Sequence, residues 1–239
     1  MAIISNTVAY LDGDVVLEAF FAFDDALTGQ RPAVLINHTW AGRDDFVAEK
    51  AKKLAALGYV GFAVDMYGKG ILGSNPEQNM QLMQPFMADR AMLQTRMKAA
   101  LAALKLMPWV DDNRIAAIGF CFGGLCVLDL ARTGADIKGV VSFHGLLAAP
   151  GNTQDQAIKA KVLALHGRDD PLGPIEQVLA FEQEMTEAGA DWQLHTYGNT
   201  MHSFTNPHAN APEVGMVYQP DADRRSWLAM QNFLTEIFS

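Results

Sequence analysis

Short apolar runs and longer stretches of helical period alternate along this chain. The first two runs, "TVAYL" (7–11) and "VVLEAFFAF" (15–23), flank Asp12, Gly13 and Asp14. Turn residues at that spacing predict an antiparallel hairpin. Next comes "AVLINH" (33–38), then a helix from about Asp45 that keeps Val47, Ala51 and Leu54 at helical spacing and ends near Gly58. The cycle repeats through "YVGFAVD" (59–65), "RIAAIGF" (114–120), "KGVVSFHG" (138–145), "KVLALHG" (161–167) and "WQLHTYG" (192–198). A last helix near 224–238 places Trp227, Met230, Leu234 and Ile237 on one stripe. Near-continuously apolar strands alternating with helices imply an α/β fold, a mostly parallel sheet covered by helices on both faces.

No repeat, low-complexity tract or linker divides the chain, so residues 1–239 are expected to form one domain, with half of the residues apolar and enough to fill a core. The one long interruption between strands, 65–108, reads mostly as helix. It carries Met66, Met80, Met83, Met87, Met92, Met97 and Met107, expected mainly in the core, with an adaptable pocket wall as the other reading. A formal charge of −9 offers no basic face for nucleic acid or anionic lipid. No apolar run reaches membrane-spanning length, and the N-terminus lacks the pattern of a leader. Cys121 and Cys126 would point to different faces of a helix, so both read as free thiols of a reducing, cytoplasmic protein, a monomer or homodimer.

Ligands of open parallel sheets gather beyond the carboxyl ends of the strands, so the residues there carry the chemistry. They are His38-Thr39-Trp40, Asp65, Cys121, His144, the "HGRDDP" segment and His202. Cys121 stands in "GFCFGG", between Gly119 and the pair Gly123 and Gly124. A strand that turns directly into a helix strains its apex residue and needs small neighbours two before and two after it. At the apex, a helix N-terminus favours negative charge, which for a cysteine means thiolate. Such a nucleophile needs a base and an acid that orients the base. His202 in "MHSF" supplies the first and an aspartate of "HGRDDP" the second, in the order nucleophile, acid, histidine; Asp65 is a rival acid. The Phe122 N–H at the helix start and a second donor after "AVLINH", at Trp40, would form an oxyanion hole. Trp40, Phe122, Phe204 and the methionines suggest an apolar pocket, and His144 is placed to line it. His38 and His166 read as structural, His195 as half-buried in its strand, and His208 as a loop residue. No His-x-x-x-His or Cys-x-x-Cys spacing is present, so no metal site is expected, and there is no glycine-rich nucleotide loop.

Together, "GFCFGG", "HGRDDP", "MHSF", "NHTWAG" and "VDMYGKG" resemble the dienelactone hydrolase family, cysteine hydrolases of the α/β-hydrolase fold. The resemblance covers nearly the whole chain. It implies a triad of Cys121, Asp170 and His202, choosing Asp170 over Asp169 because the acid stands three residues after Gly167, and it implies no cofactor. It also marks departures. The family's glutamate after the histidine of the "NH" loop is Thr39 here, and its substrate-carboxylate arginines match Lys69 and Asn206. These positions cannot grip a carboxylate in bidentate fashion. The expected substrate is therefore a neutral ester or lactone, with activated aryl esters and phosphotriesters as side reactions. A true dienelactone (carboxymethylenebutenolide) hydrolase is the alternative. Thiol redox chemistry or a non-catalytic binding protein are the readings of another class.

Overall fold

Gly13 has φ +57, which a glycine adopts without steric cost. It lets two residues turn the chain between β1 (Ile3–Asp12) and β2 (Val15–Asp24), which pair antiparallel from Ile3 opposite Asp24 to Asp12 opposite Val15. The computed structural model describes residues 2–239, in two compact units: one ends at Ile118, and the other is Gly119–Ser239.

The first unit adds β3 (Arg31–Asn37), β4 (Val60–Ala63) and most of β5 (Val110–Phe120), in the order β1-β2-β4-β3-β5. β4 runs antiparallel to β2 and parallel to β3, so this part of the sheet is mixed. Its helices are α1 (Asp45–Ala56), α2 (Pro76–Ala88) and α3 (Arg90–Lys105). The Asp44 side chain caps α1 by accepting from the Val47 N–H, and Val47, Ala51 and Leu54 are buried, as their spacing predicts. A Cβ at Gly61 of β4 would lie 2.5 Å from the Ala51 carbonyl oxygen, so α1 covers that face; Val34 pairs with Gly61 and shares it. Asn37 of β3 has the opposite parity and reaches Met97 of α3, so α3 covers the other face. Of the methionines between the strands, Met66, Met97 and Met107 are in the core, Met83, Met87 and Met92 are half-buried, and Met80 is exposed.

The second unit carries the end of β5, then β6 (Gly139–Phe143), β7 (Lys161–Gly167) and β8 (Trp192–Tyr197), in the order β5-β6-β7-β8, with β6 to β8 parallel. Its helices are α4 (Phe122–Arg132), α5 (Ile175–Glu187) and α6 (Pro220–Phe238). A Cβ at Gly139 would meet Phe233 and Ile237 of α6 at 2.9 Å, whereas Ser142, three residues on and on the opposite face, lies against Gly124 of α4. Helices therefore cover both faces here too. Every residue of β6 is buried, and all but Lys161 of β7. β8 closes the edge with alternating burial, and His195 is exposed rather than half-buried because it is on the solvent side of that edge. Along α6, Met230, Leu234 and Ile237 are buried and Trp227 is half-buried. A short hairpin that no sequence period announced, β9 (Asn210–Ala211) and β10 (Met216–Val217), brackets a 3-10 turn at Pro212–Val214. Among the described residues, no helix is long and apolar enough to cross a membrane, and no group of three or more His, Cys, Asp or Glu side chains is arranged to hold a metal ion.

Candidate active site

A single residue, Cys121, separates β5 from α4, with φ 56 and ψ −117. Strain of this kind costs about 1–3 kcal/mol and persists only where the surroundings enforce it. Here the glycines and the next strand enforce it. A Cβ at Gly119 would lie 1.9 Å from the Gly123 carbonyl oxygen, and one at Gly124 would lie 2.5 Å from Ser142 Oγ and 2.7 Å from Gly145 Cα. Gly119 thus meets the backbone of Gly123, as their spacing about Cys121 predicts, and Gly124 adds a close approach to Ser142 and Gly145. The Cys121 carbonyl accepts from the Gly124 N–H at 2.9 Å, starting α4, while its own N–H donates to the Phe143 carbonyl at 3.0 Å. The Cys121 side chain is partly exposed and Cys126 is buried; both are free thiols.

Beyond β8 the chain carries His202, whose side chain is fully buried. Its backbone is pinned by the short hairpin: the His202 N–H donates to the Gly215 carbonyl at 2.8 Å, and the His202 carbonyl accepts from the Val217 N–H at 3.0 Å. His202 Nδ1 donates to Asp170 Oδ2 at 2.8 Å, and Asp170 Oδ1 accepts from the Leu172 N–H at 2.8 Å. Both carboxylate oxygens are thus engaged, in a side chain that is itself buried. Its neighbour Asp169 is exposed. Nε2 of His202 is buried. Burial alone would lower the His202 pKa, but the negative charge of Cys121 and the hydrogen bond to Asp170 outweigh it and raise the value to about 10. This arrangement suits a thiolate–imidazolium pair, with the carboxylate fixing the proton on Nδ1.

The other expected pocket residues of this unit are Phe204, His144 and Asn206. Phe204 is wholly buried, edge-on to His144 (centroids 5.0 Å apart) and to Tyr197 (5.6 Å). His144 is only 1% exposed. Asn206 is half-buried and closes its own turn, its side-chain oxygen accepting from the His208 N–H at 3.0 Å. Nε2 of His166 donates to the Gly173 carbonyl at 2.8 Å, and burial lowers its pKa.

Thr39, Trp40 and Lys69 belong to the first unit, in the loops after β3 and β4. Thr39 Oγ1 accepts from the Ala41 N–H at 3.4 Å, and the Trp40 carbonyl accepts from the Tyr67 hydroxyl at 3.0 Å. Lys69 Nζ lies 2.8 Å from Glu18 Oε1, and Arg43 reaches Glu18 Oε2 at 3.2 Å. Lys69 and Arg43 thus hold the Glu18 carboxyl below its usual pKa. This pairing was hidden in sequence, where Glu18 reads only as a polar position of a strand. Asp65, the rival acid, is buried and clamps its own loop: Oδ1 accepts from the Tyr67 and Gly68 N–H groups and Oδ2 from the Glu18 N–H, all at 3.0 Å.

A mixed sheet with helices on both faces, with a sharp strand-to-helix turn at Cys121, is the α/β-hydrolase fold. The chain belongs to the dienelactone hydrolase family, whose sequence profile matches residues 17–238, and is a hydrolase acting on esters or lactones. It is similar to the solved structure of the dienelactone hydrolase-like promiscuous phosphotriesterase P91 from metagenomic libraries, with 38% identity, a TM-score of 0.94 and full coverage of both chains. It is 40% identical over 150 residues to the uncharacterized protein K02A2.1 of Caenorhabditis elegans, which spans 62% of this chain and 95% of that one. It is also 26% identical over 218 residues to the probable 2-oxo-3-(5-oxofuran-2-ylidene)propanoate lactonase of a Bradyrhizobium species, 84% of this chain and 82% of that one.

Proposed function

We propose that this chain, working as one domain over residues 1–239 in a reducing cytoplasm, hydrolyses neutral carboxylic esters and lactones through Cys121, His202 and Asp170. The observation that carries the reading is His202: its ring is buried, one ring nitrogen is bonded to Asp170 at 2.8 Å, and the charge of Cys121 and a hydrogen bond with its thiol raise the pKa. The Cys121 thiolate attacks the carbonyl carbon, and the carbonyl electron pair moves to oxygen. The backbone N–H of Phe122, at the start of α4, receives the oxyanion. On collapse the alcohol leaves with the proton from His202 Nε2, and the acyl group remains as a thioester. Water then gives a proton to the neutral His202 and attacks the thioester. The second collapse expels the Cys121 thiolate and releases the acid. Asp170 holds the ring orientation throughout and supports its charge.

The preference for neutral substrates rests on charge. The Lys69 ammonium is already paired with Glu18, Asn206 is neutral, and Thr39 replaces the family's glutamate. Mass spectrometry after brief mixing with p-nitrophenyl acetate tests the mechanism. An acyl adduct is expected on the Cys121 peptide, absent from Cys121→Ala and persistent in His202→Ala. Hydrolysis by Cys121→Ala at the native rate would end the reading. Absence of both adduct and hydrolysis in the native chain would leave the thiol redox and binding readings ahead.

A second reading, turnover of activated phosphotriesters, is favoured by the full-length likeness to P91, which is itself described as a promiscuous phosphotriesterase. The same thiolate would displace an aryloxide at phosphorus, and water activated by His202 would cleave the resulting S–P bond. Release of p-nitrophenol from paraoxon by the native chain but not by Cys121→Ala is the expected result.

A further inference from the structure

Four described non-glycine residues have positive φ. Three of them surround the candidate site: Cys121 (56), His144 (40) and Ser203 (60), which follows His202. His144 plays no part in the mechanism above, yet it shares this backbone signature. Strained residues cluster where a structure must over-determine a geometry.

The ring of His144 makes two hydrogen bonds of opposite polarity. The Cys121 N–H donates to Nδ1 at 3.2 Å, so that nitrogen carries no proton. Nε2 then carries the proton and donates to Thr205 Oγ1 at 2.8 Å. The ring thus spans from the elbow to a residue three positions beyond His202. It also lies edge to face with the His202 ring, centroids 5.1 Å apart at 67°. Its backbone is fixed as well, because the His144 N–H donates to the Leu165 carbonyl at 2.8 Å. The Phe143 carbonyl shares the Cys121 N–H at 3.0 Å, so satisfying that donor does not by itself require the ring. What the ring adds is the tie to Thr205.

We infer that His144 is a positioning residue, a neutral bridge of fixed tautomer that ties the Cys121 elbow to the 202–205 turn and thereby sets the thiol against His202. The inference rests on reading Cys121 and His202 as the reacting pair. Neutrality matters in two ways. A proton on Nδ1 would remove the acceptor for the Cys121 N–H, and a second cation would then lie against the imidazolium of His202.

The test is the rate at which iodoacetamide alkylates Cys121 at neutral pH, read with the ultraviolet absorbance of the thiolate and with far-ultraviolet circular dichroism as a check on folding. His144→Phe keeps a ring but no acceptor or donor, and is expected to alkylate about tenfold more slowly or worse, as misplacement of a reacting group does. His144→Asn restores an oxygen near the place of Nδ1 in a residue type that tolerates positive φ, and should recover most of the rate. Thr205→Val removes the far anchor without touching Cys121 or His202. It should slow alkylation severalfold, and it decides the matter if His144→Phe does not fold. Native rates in both His144→Phe and Thr205→Val, or an Asn variant no better than Phe, would overturn the inference. Alkylation reads the thiol whether or not it is the catalytic nucleophile. A failure of the hydrolase reading shows separately, as hydrolysis surviving in Cys121→Ala.

Discussion

Two regions of this molecule each bury a histidine completely and leave it in opposite states. His38, after β3, donates from Nδ1 to the Thr39 carbonyl at 2.5 Å and accepts the Met66 N–H on Nε2 at 3.2 Å. Burial dominates there, and its pKa falls to about 4. His202, after β8, is buried as deeply, but it bonds directly to Asp170 and faces Cys121, and its pKa rises to about 10. Burial pushes both rings toward the neutral form, and what differs is the opposition to it: at His38 the Thr39 carbonyl and the Asp65 charge are too weak to offset burial, whereas at His202 the Cys121 charge and the bonded Asp170 carboxylate outweigh it. The first region is organised to hold a loop, the second to hold a proton.

The most direct way to break this contrast is to remove each ring. His202→Ala is expected to lower the hydrolysis rate by about a hundredfold to ten-thousandfold, the usual worth of a general acid–base group. His38→Ala leaves the Met66 N–H without its acceptor and should instead cost about 1–3 kcal/mol of stability, seen in urea unfolding, with a smaller change in rate. Equal rate losses in the two variants would show that the distinction between loop holder and proton holder is false. Gly119→Ala sharpens the same point for the elbow. Its Cβ would be driven to 1.9 Å from the Gly123 carbonyl oxygen, so β5 and α4 must separate, at about 1–3 kcal/mol or more.

Stability should depend on pH in opposite directions for the two rings. The pKa of His202 is raised from 6.5 to about 10, so its contribution is complete below pH 6.5 and is lost as pH climbs through 10. The pKa of His38 is lowered from 6.5 to about 4, so its contribution is complete above pH 6.5 and is lost as pH falls toward 4. Melting temperature across pH is therefore expected to sag on both sides of neutrality. His202→Ala should flatten the alkaline limb alone, and His38→Ala the acid limb alone. An alkaline limb that survives in His202→Ala would assign it to another group.

The strands, their helices and the Cys121 elbow were legible in sequence, because each is a local pattern: apolar runs of the right length, and glycines at fixed offsets from one cysteine. The rest depended on contacts between distant segments. Adjacent Asp169 and Asp170 look alike to chain order, and the choice between them came from family resemblance; only the fold shows one bonded to His202 and the other exposed. Phe204 reads as pocket lining in sequence, because aromatic residues near a reactive histidine often are; its packing against His144 and Tyr197 shows only in the fold. His144 was found at a strand end, but its link from Cys121 to Thr205 joins residues 121, 144 and 205 and leaves no local trace. The two-residue strands that pin His202 are too short to show any period.

The smallest expected effect concerns the other charged cluster of the first unit. Glu18 joins Lys69 at 2.8 Å and Arg43 at 3.2 Å, and the Lys69 side chain is 56% exposed. A pair open to solvent on that scale contributes under about 1 kcal/mol, so Lys69→Ala should barely move the melting temperature. Its effect on substrate choice separates two meanings of that lysine. If its charge is spent on Glu18, a neutral aryl ester and its carboxylate-bearing analogue should keep the same ratio of kcat/KM in Lys69→Ala as in the native chain. Glu18→Gln then becomes the informative variant, because it releases Lys69 and Arg43 together. Added salt should erase whatever preference for the anionic ester appears, since freed surface charges are screened within about 10 Å at moderate ionic strength. A native preference for the anion that collapses in Lys69→Ala would mean that Lys69 serves the substrate despite its partner, and would reverse the expectation of a neutral ester.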